Sequence, residues 1–191
     1  HQGHEAVVQM LTEARDIEQS TPLHLAANQG YEAVVQLLLA AGADKDARAL
    51  AQVAPLHLAA GRDHEAVVQV LVAAGADKEA RAAFQIAPLH IAAGDGHEVM
   101  VQMLLAAGAD KEANARDKHQ KTPLHSASNQ GCEGAVQVLL AAGASKDARD
   151  NQQMAPLHLA AGAGHEAVVQ MLLAAGADKE ARAHGQATPL R

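Results

Sequence analysis

Apolar residues recur along the chain in two kinds of block, a short one and a longer one. In residues 21–53 the short block, residues 23–27, follows Thr21-Pro22, and the longer block, residues 34–39, follows a polar break that contains a glycine. Threonine is a good N-cap, proline suits the first helical position, and Gly42 is typical of the residue after a helix C-cap. The pattern therefore predicts a short helix, a turn, a second helix and an extended hairpin-like loop.

The same pattern returns at a fixed interval. The seven residues TPLHLAA at 21–27 recur with small changes, and the prolines of successive copies are 33, 33, 35, 33 and 33 residues apart. A fixed period in this range indicates stacked supersecondary units. One unit cannot bury its own apolar faces, so neighbouring units must stack to form a continuous core. The prolines that mark the copies are Pro22, Pro55, Pro88, Pro123, Pro156 and Pro189.

The repeated unit resembles the ankyrin repeat. The resemblance rests on T/A-P-L-H-x-A-A, on the G-H/Y-E-A-V-V-Q start of the second helix and on its L-L-A-A-G-A-D-K end, and it extends over essentially the whole chain. It implies an all-α solenoid of stacked helix-turn-helix units joined by hairpin-like loops. It also implies a concave groove, lined by hairpin tips and first helices, that binds another protein.

The motif positions predict where each repeat begins and ends. The chain opens and closes inside a repeat, and the first loop is six residues shorter than its equivalents, so we expect a segment of a longer array that is monomeric within a longer chain. Two extra residues in one repeat should make its hairpin, or the loop before it, bulge. The predicted units are a partial repeat at 1–20 with a shortened loop, complete repeats at 21–53, 54–86, 87–121 (with the insertion), 122–154 and 155–187, and the start of a further repeat at 188–191.

Two substitutions distinguish these repeats from the family pattern. The family usually has glycine two residues before the threonine of TPLH, where this chain has glutamine. If the backbone keeps a positive φ there, each glutamine costs about 1–2 kcal/mol, and we expect either an altered turn or softer hairpins. Alanine replaces the capping threonine at Ala54, Ala87 and Ala155, which costs about 0.5–2 kcal/mol per helix. The glutamines are Gln19, Gln52, Gln85, Gln120, Gln153 and Gln186.

Composition narrows the classes of function. The formal net charge is −7, and the absence of a basic stripe argues against nucleic-acid binding. No apolar run is long enough for a transmembrane helix, and the N-terminus does not have the pattern of a signal peptide, so we expect no membrane insertion. Cys132 is the only cysteine, and a chain with no possible internal disulfide is typical of an intracellular, cytoplasmic protein.

The twelve histidines suggest metal binding, but their register argues against it. One set belongs to the TPLH motif and another opens the second helix, so the members of each set lie one repeat apart, too far to share an ion. No His-x-x-x-His pair lies on one helix face. Residues 162–167 match G-x-G-x-x-A, but a helix rather than a strand precedes them. No base is evident near Cys132, so we interpret it as a tolerated substitution. We therefore predict no metal, no cofactor and no catalytic residue.

Information about a partner should lie where the repeats differ, in the hairpins. The second and third hairpins, 49–53 and 82–86, are apolar where the others are polar, and neighbouring hairpins stand side by side. These side chains either pack hairpin against hairpin or anchor a partner, since exposed apolar patches mark contact surfaces. We predict one apolar patch at the fingers, with a basic hairpin beside it. The predicted partner-binding residues are Leu50, Val53, Phe84, Ile86, Lys118, His119, Lys121 and Met154.

Three functions are compatible with this sequence. The first is a non-catalytic interaction scaffold that binds a protein or peptide on its hairpin and concave face. The second is the targeting arm of a larger enzyme, such as a kinase or a ubiquitin ligase subunit, whose catalytic domain lies outside this chain. The third is a mechanical spacer, which the near-identity of the copies and the scarcity of aromatic anchors favour.

Overall fold

A computed structural model describes residues 14–112 and 118–180, and within them the chain is helical with no strand. The chain divides into two compact units, residues 1–83 and 84–191. The predicted all-α architecture of paired helices is confirmed. The predicted partial repeats at the two ends and the two-residue insertion fall largely on residues outside the described ranges.

The helices come in pairs of a first and a second helix. Each first helix begins at the proline of the motif, and each second helix begins at a glutamate, whose carboxylate suits the positive end of the helix dipole. The first unit contains α1 (Pro22–Gln29), α2 (Glu32–Ala40), α3 (Pro55–Gly61) and α4 (Glu65–Ala73). The second unit contains α5 (Pro88–Asp95), α6 (Glu98–Ala106), α7 (Pro123–Gln130), α8 (Glu133–Ala141), α9 (Pro156–Ala163) and α10 (Glu166–Ala174).

Within each unit, first helices pack on first helices and second helices on second helices. In the first unit α1 contacts α3 and α2 contacts α4; in the second unit α5 contacts α7 and α7 contacts α9. The motif leucine lies at the centre of each layer and is almost completely buried, together with the alanines that follow the histidine. Small side chains there let the thin helices approach closely. The buried motif leucines are Leu23, Leu56, Leu89, Leu124 and Leu157.

The motif histidine closes the start of each first helix and joins it to the next loop. Nδ1 of His24 accepts a hydrogen bond from the backbone N–H of Thr21 at 3.2 Å. Its Nε2 therefore carries the proton and donates to the carbonyl oxygen of Val53 at 3.0 Å. His125 has the same pair of contacts with Thr122 and Met154. The motif histidine therefore has a local structural role, and the ring is neutral in this arrangement.

Acid should therefore destabilise the fold through His24. Burial lowers the pKa of His24 below its ordinary value. The imidazole of His24 therefore takes up a second ring proton more readily in the unfolded chain than in the folded chain. The contribution to stability is complete above about pH 6.5 and declines as the pH falls below it. We expect the urea midpoint to fall between pH 8 and pH 5.5 by more in the wild type than in His24→Gln, which cannot take up that proton. Equal declines in the two proteins would contradict this.

Ser128 is a buried polar group without a partner. Its hydroxyl is fully buried in α7 and forms no hydrogen bond, and the equivalent residue of the other first helices is alanine. We expect Ser128→Ala to raise the free energy of unfolding by about 1 kcal/mol beyond the gain in helix propensity. Ser126→Ala, two residues earlier in the same helix, is the control that gains propensity alone. Equal midpoints in urea for the two variants would show that the buried hydroxyl costs nothing.

The acidic loops after the second helices connect neighbouring repeats. Oδ1 of Asp46 accepts the backbone N–H of Asp77 at 2.8 Å, and Oδ1 of Asp147 accepts that of Asp178 at 2.9 Å. Local charge pairs lie in the same loops, for example Lys146 with Asp147 at 3.5 Å. The carboxylates therefore also hold the backbone of the following repeat.

Candidate functional site

The hairpin loops keep the turn that glycine would favour, although they contain glutamine. Five of the predicted glutamines have φ between 61° and 63°, in the left-handed region where an L residue is strained. The sixth, Gln186, lies outside the described residues. The sequence led us to expect either an altered turn or softer hairpins. Of the five described hairpins, two have an altered turn, and its cause is not the glutamine. The five glutamines are Gln19, Gln52, Gln85, Gln120 and Gln153.

The cause of the altered turn is the loss of an aspartate at the start of the hairpin. Oδ1 of Asp16 accepts the N–H groups of Glu18 and Ser20 at 2.9 and 2.8 Å, and Asp150 binds its own hairpin in the same way. The second and third hairpins have alanine at this position. Without the carboxylate acceptor, the residue before the glutamine also has a positive φ, 59° at Ala51 and 62° at Phe84. Two successive left-handed residues are the geometry of a type I′ turn.

The two altered hairpins expose large apolar side chains at their tips. Leu50, in the first unit, is 66% exposed, and Phe84, in the second, is 59% exposed. Val53 and Ile86 are half-buried. From the sequence, packing of hairpin against hairpin was the alternative to a partner-binding role. Such packing does not bury Leu50 or Phe84. That these four side chains form a single patch stays a prediction.

The basic hairpin lies directly against Phe84. Nζ of Lys118 is 3.7 Å from the centroid of the Phe84 ring, and the backbone N–H of Lys118 donates to the carbonyl oxygen of Phe84 at 2.7 Å. A cation over an aromatic face is attracted by the ring quadrupole, by about 0.5–1 kcal/mol at an exposed site. His119 is also exposed on this hairpin. Phe84 and Lys118 thus present one mixed apolar and cationic surface.

Three of the predicted binding residues have a structural role through their backbone. The carbonyl oxygens of Val53, Lys121 and Met154 each accept a hydrogen bond from the Nε2 of a motif histidine, at 3.0 to 3.1 Å. These contacts need no particular side chain. The side chains of Val53 and Lys121 are left to line clefts, whereas the half-buried Met154 lines neither of the two clefts described next.

Each unit contains a cleft of about 300 Å³ between hairpins and first helices. In the first unit its walls are Leu25, Leu50, Val53 and Leu58, with Glu18 and Arg62 at the rim. In the second unit the walls include Ile86 and Ile91, the rim has Lys121 and Asp95, and polar residues of α7, Ser126 and Asn129 among them, form the rest. The first cleft is suited to an aliphatic side chain, and the second is more polar.

Two exposed apolar residues of the hairpins and first helices were not predicted from the sequence. Ile17, at the tip of the first hairpin, is 99% exposed, and Leu25, on α1, is 53% exposed. Leu25 belongs to the apolar block at residues 23–27, whose stacking was expected to form the core, but it lines the first cleft instead. The available signal was variation, because this position of the motif reads Leu, Leu, Ile, Ser and Leu in successive copies while its neighbours hardly change.

Cys132 takes the place of a structural histidine. Nε2 of His165 bonds the carbonyl oxygen of Asn129 at 3.0 Å, and the Sγ of Cys132 bonds that of Gly94 at 3.3 Å in the same way. Burial raises the pKa of the Cys132 thiol, and the charge of Asp95 adds to this, so the thiol is protonated at neutral pH and is a poor nucleophile. Within residues 14–112 and 118–180 no group of three His, Cys, Asp or Glu side chains could hold a metal ion.

None of the helices in the described part of the chain has the length and apolar character needed to cross a membrane.

A family model for ankyrin repeats, three copies in length, matches residues 56–150 and again 89–183, and a model for a single ankyrin repeat matches residues 18–50. The chain therefore belongs to the ankyrin repeat family. Ankyrin repeats are generally protein–protein interaction modules and are typically non-catalytic. No curated protein matches the chain.

Proposed function

We propose that this chain is a non-catalytic scaffold that binds a protein or peptide partner on its hairpin and concave face. The observation that carries the proposal is the exposure of Leu50 and Phe84 at hairpin tips. A few well-packed side chains at the centre of a contact supply most of the binding energy of a typical interface, and exposed apolar patches mark such contacts. Their burial by a partner is the simplest reason for a protein with so few aromatic residues to place its one phenylalanine at a loop tip.

Backbone strain in the same two hairpins supports this choice of face. The hairpins with Leu50 and Phe84 each hold two successive non-glycine residues at positive φ. Such residues cost free energy and cluster at binding sites, where the surrounding structure holds them in place. Lys118 adds a cation beside the Phe84 ring, so the partner surface should combine an apolar centre with an acidic neighbour.

The proposal can be tested with matched substitutions on two faces. The whole chain would be used to capture partners from a lysate of source cells, as wild type and as the variants Phe84→Ala and Leu50→Ala. Leu37→Ala is a matched control for Leu50→Ala, because Leu37 is equally exposed, at 70%, but lies on the second helix α2. Val99→Ala is the control for Phe84→Ala, because Val99 is also an exposed apolar residue, at 46%, on a second helix, α6.

We expect each hairpin variant to retain at least tenfold less of a specific partner, the usual loss at an interface hot spot of about 2 kcal/mol. The two controls on second helices should retain as much partner as the wild type. Circular dichroism would show that all variants are folded. If the hairpin and control variants lose the partner equally, or if none loses it, the hairpin face is not the binding surface.

A further inference from the structure

The cleft of the first unit has opposite charges at its two ends. Glu18 belongs to the first hairpin, and its carbonyl oxygen accepts the N–H of Leu50 at 2.8 Å, which places it beside the hairpin that precedes α3. Arg62 is the C-cap of α3, at the other end of the helix. Both side chains are exposed, and neither forms a hydrogen bond or ion pair within the described residues. The carboxylate and the guanidinium are therefore both available to a ligand.

The space between these charges is apolar. Leu25 and Leu50 are more than half exposed, Val53 and Leu58 are half-buried, and all four line the same cleft of about 300 Å³. A cavity of this size suits one or two aliphatic side chains and not a large cofactor. Burial of a leucine side chain there removes apolar surface from water on both partners, which favours binding.

The length of the cleft fits an extended peptide. A helix of seven or eight residues is roughly 11–12 Å long, at about 1.5 Å per residue. An extended chain advances about 3.3 Å per residue and presents alternate side chains to one face. Residues i and i+4 of such a peptide are therefore about 13 Å apart on the same side, with residue i+2 between them. This spacing is close to the length of α3, so a peptide laid along that helix can place a charged side chain at each end and an aliphatic side chain between them.

We propose that the first cleft binds an extended peptide segment in which an aliphatic residue lies two residues from a basic residue on one side and two residues from an acidic residue on the other. The basic side chain pairs with Glu18, the aliphatic one enters the wall of leucines, and the acidic one forms a bidentate pair with Arg62. This inference rests on the proposed scaffold function and adds the chemistry of the ligand. The peptide can bind in either chain direction, since only the order of its side chains along the cleft is specified.

The cleft of the second unit has the opposite order of charge. There the basic residue, Lys121, belongs to the hairpin side, and the acidic one, Asp95, ends the first helix α5. Its polar α7 residues Ser126 and Asn129 replace leucine walls. A peptide that fits the first cleft can meet these charges in the reverse chain direction, but its aliphatic residue then meets polar side chains of α7 instead of a leucine wall. A charge change at Asp95 therefore makes a control for changes in the first cleft.

The test is a selection of peptides by the whole chain. Immobilised wild type, Arg62→Glu, Glu18→Lys and the control Asp95→Lys would each select from a phage-displayed library of random nonapeptides. The wild type should enrich the basic-x-aliphatic-x-acidic pattern, read in either direction, at least tenfold over the starting library. Arg62→Glu should exchange the acidic position for a basic one, and Glu18→Lys should exchange the basic position for an acidic one. Asp95→Lys should leave this pattern unchanged.

The strongest wild-type peptide, labelled with fluorescein, would then be measured by fluorescence polarisation. We expect Arg62→Glu to weaken its affinity at least tenfold and Asp95→Lys to leave it within twofold. Absence of the pattern among selected peptides, or a pattern that does not follow the charge at positions 18 and 62, overturns the inference. The proposed function is tested separately, because partner capture through Leu50 and Phe84 can succeed when this peptide pattern fails.

Discussion

Glycine at the five hairpin positions now occupied by glutamine should raise the free energy of unfolding by roughly 2.5–5 kcal/mol in total. Each glutamine has a φ near 61–63°, which costs an L residue about 1–2 kcal/mol. Glycine has no such penalty but loses more freedom on folding, about 0.5–1 kcal/mol. The net gain is therefore about 0.5–1 kcal/mol at each site, and separate hairpins should contribute almost additively.

The hydrogen bonds that Gln19 and Gln153 form in their turns need no side chain and should survive the change. The N–H of Gln153 donates to the carbonyl oxygen of Asp150 at 3.0 Å, and its own carbonyl oxygen accepts from Arg149 at 3.0 Å. Gln19 has the equivalent contacts with Asp16 and Arg15. Because every one of these bonds uses backbone atoms of the glutamine, glycine removes the conformational cost and retains the turn.

Urea unfolding followed by circular dichroism measures this gain. The control is Gln152→Gly, because Gln152 is the same residue type in the same hairpin but does not have a positive φ. Glycine there should lower the midpoint slightly, since it only increases the freedom of the unfolded chain. If Gln153→Gly and Gln152→Gly shift the midpoint in the same direction, the left-handed conformation is not the source of the strain.

The sequence was sufficient for the helices but not for the groove. Thr21-Pro22 and Gly42 mark helix ends by local chemistry, and a period of 33 residues imposes stacking whatever the details. Leu25 was misassigned because an eight-residue helix has only two turns, and the apolar pattern cannot show which apolar side chain meets the next helix and which meets solvent. That choice depends on how α1 and α3 pack, which is a tertiary property.

The backbone conformation of the hairpins could not be predicted from the sequence either. The replacement of aspartate by Ala49 and Ala82 is visible in the sequence, yet its effect is a second residue at positive φ, at Ala51 and Phe84. The turn changes because two N–H groups lose their carboxylate acceptor, so the consequence depends on three-dimensional geometry rather than on propensity. Residue type predicted apolar side chains in these hairpins, and Leu50 and Phe84 are exposed there, but it did not predict the turn that presents them.

Alanine at Gly131 should lower the free energy of unfolding by roughly 2–3 kcal/mol, the largest loss we expect from any single loop substitution in this chain. Gly131 ends α7 with a φ of 73°, which alone costs an L residue about 1–2 kcal/mol. A Cβ added there would also lie 2.5 Å from Nδ1 of His165 in the next repeat. The ring must move, and its 3.0 Å hydrogen bond to the carbonyl oxygen of Asn129 is lost, at about 1 kcal/mol.

Two other glycines separate these contributions. Gly164 has a φ of 77° but no described atom within 4 Å of an added Cβ, so Gly164→Ala should show the backbone cost alone. Gly162 lies within α9 with equally open space, and alanine there should stabilise the helix by up to about 1 kcal/mol. Urea midpoints of the three variants should therefore rank Gly162→Ala above wild type, then Gly164→Ala, then Gly131→Ala.

A double-mutant cycle with His165→Ala identifies the contact between repeats. In the His165→Ala background the imidazole is absent, so Gly131→Ala should cost only what Gly164→Ala costs in the wild type. The coupling between positions 131 and 165 should then be about 1 kcal/mol. A coupling near zero would mean that the glycine is required only for its left-handed backbone, and that the ring of the next repeat does not restrict this turn.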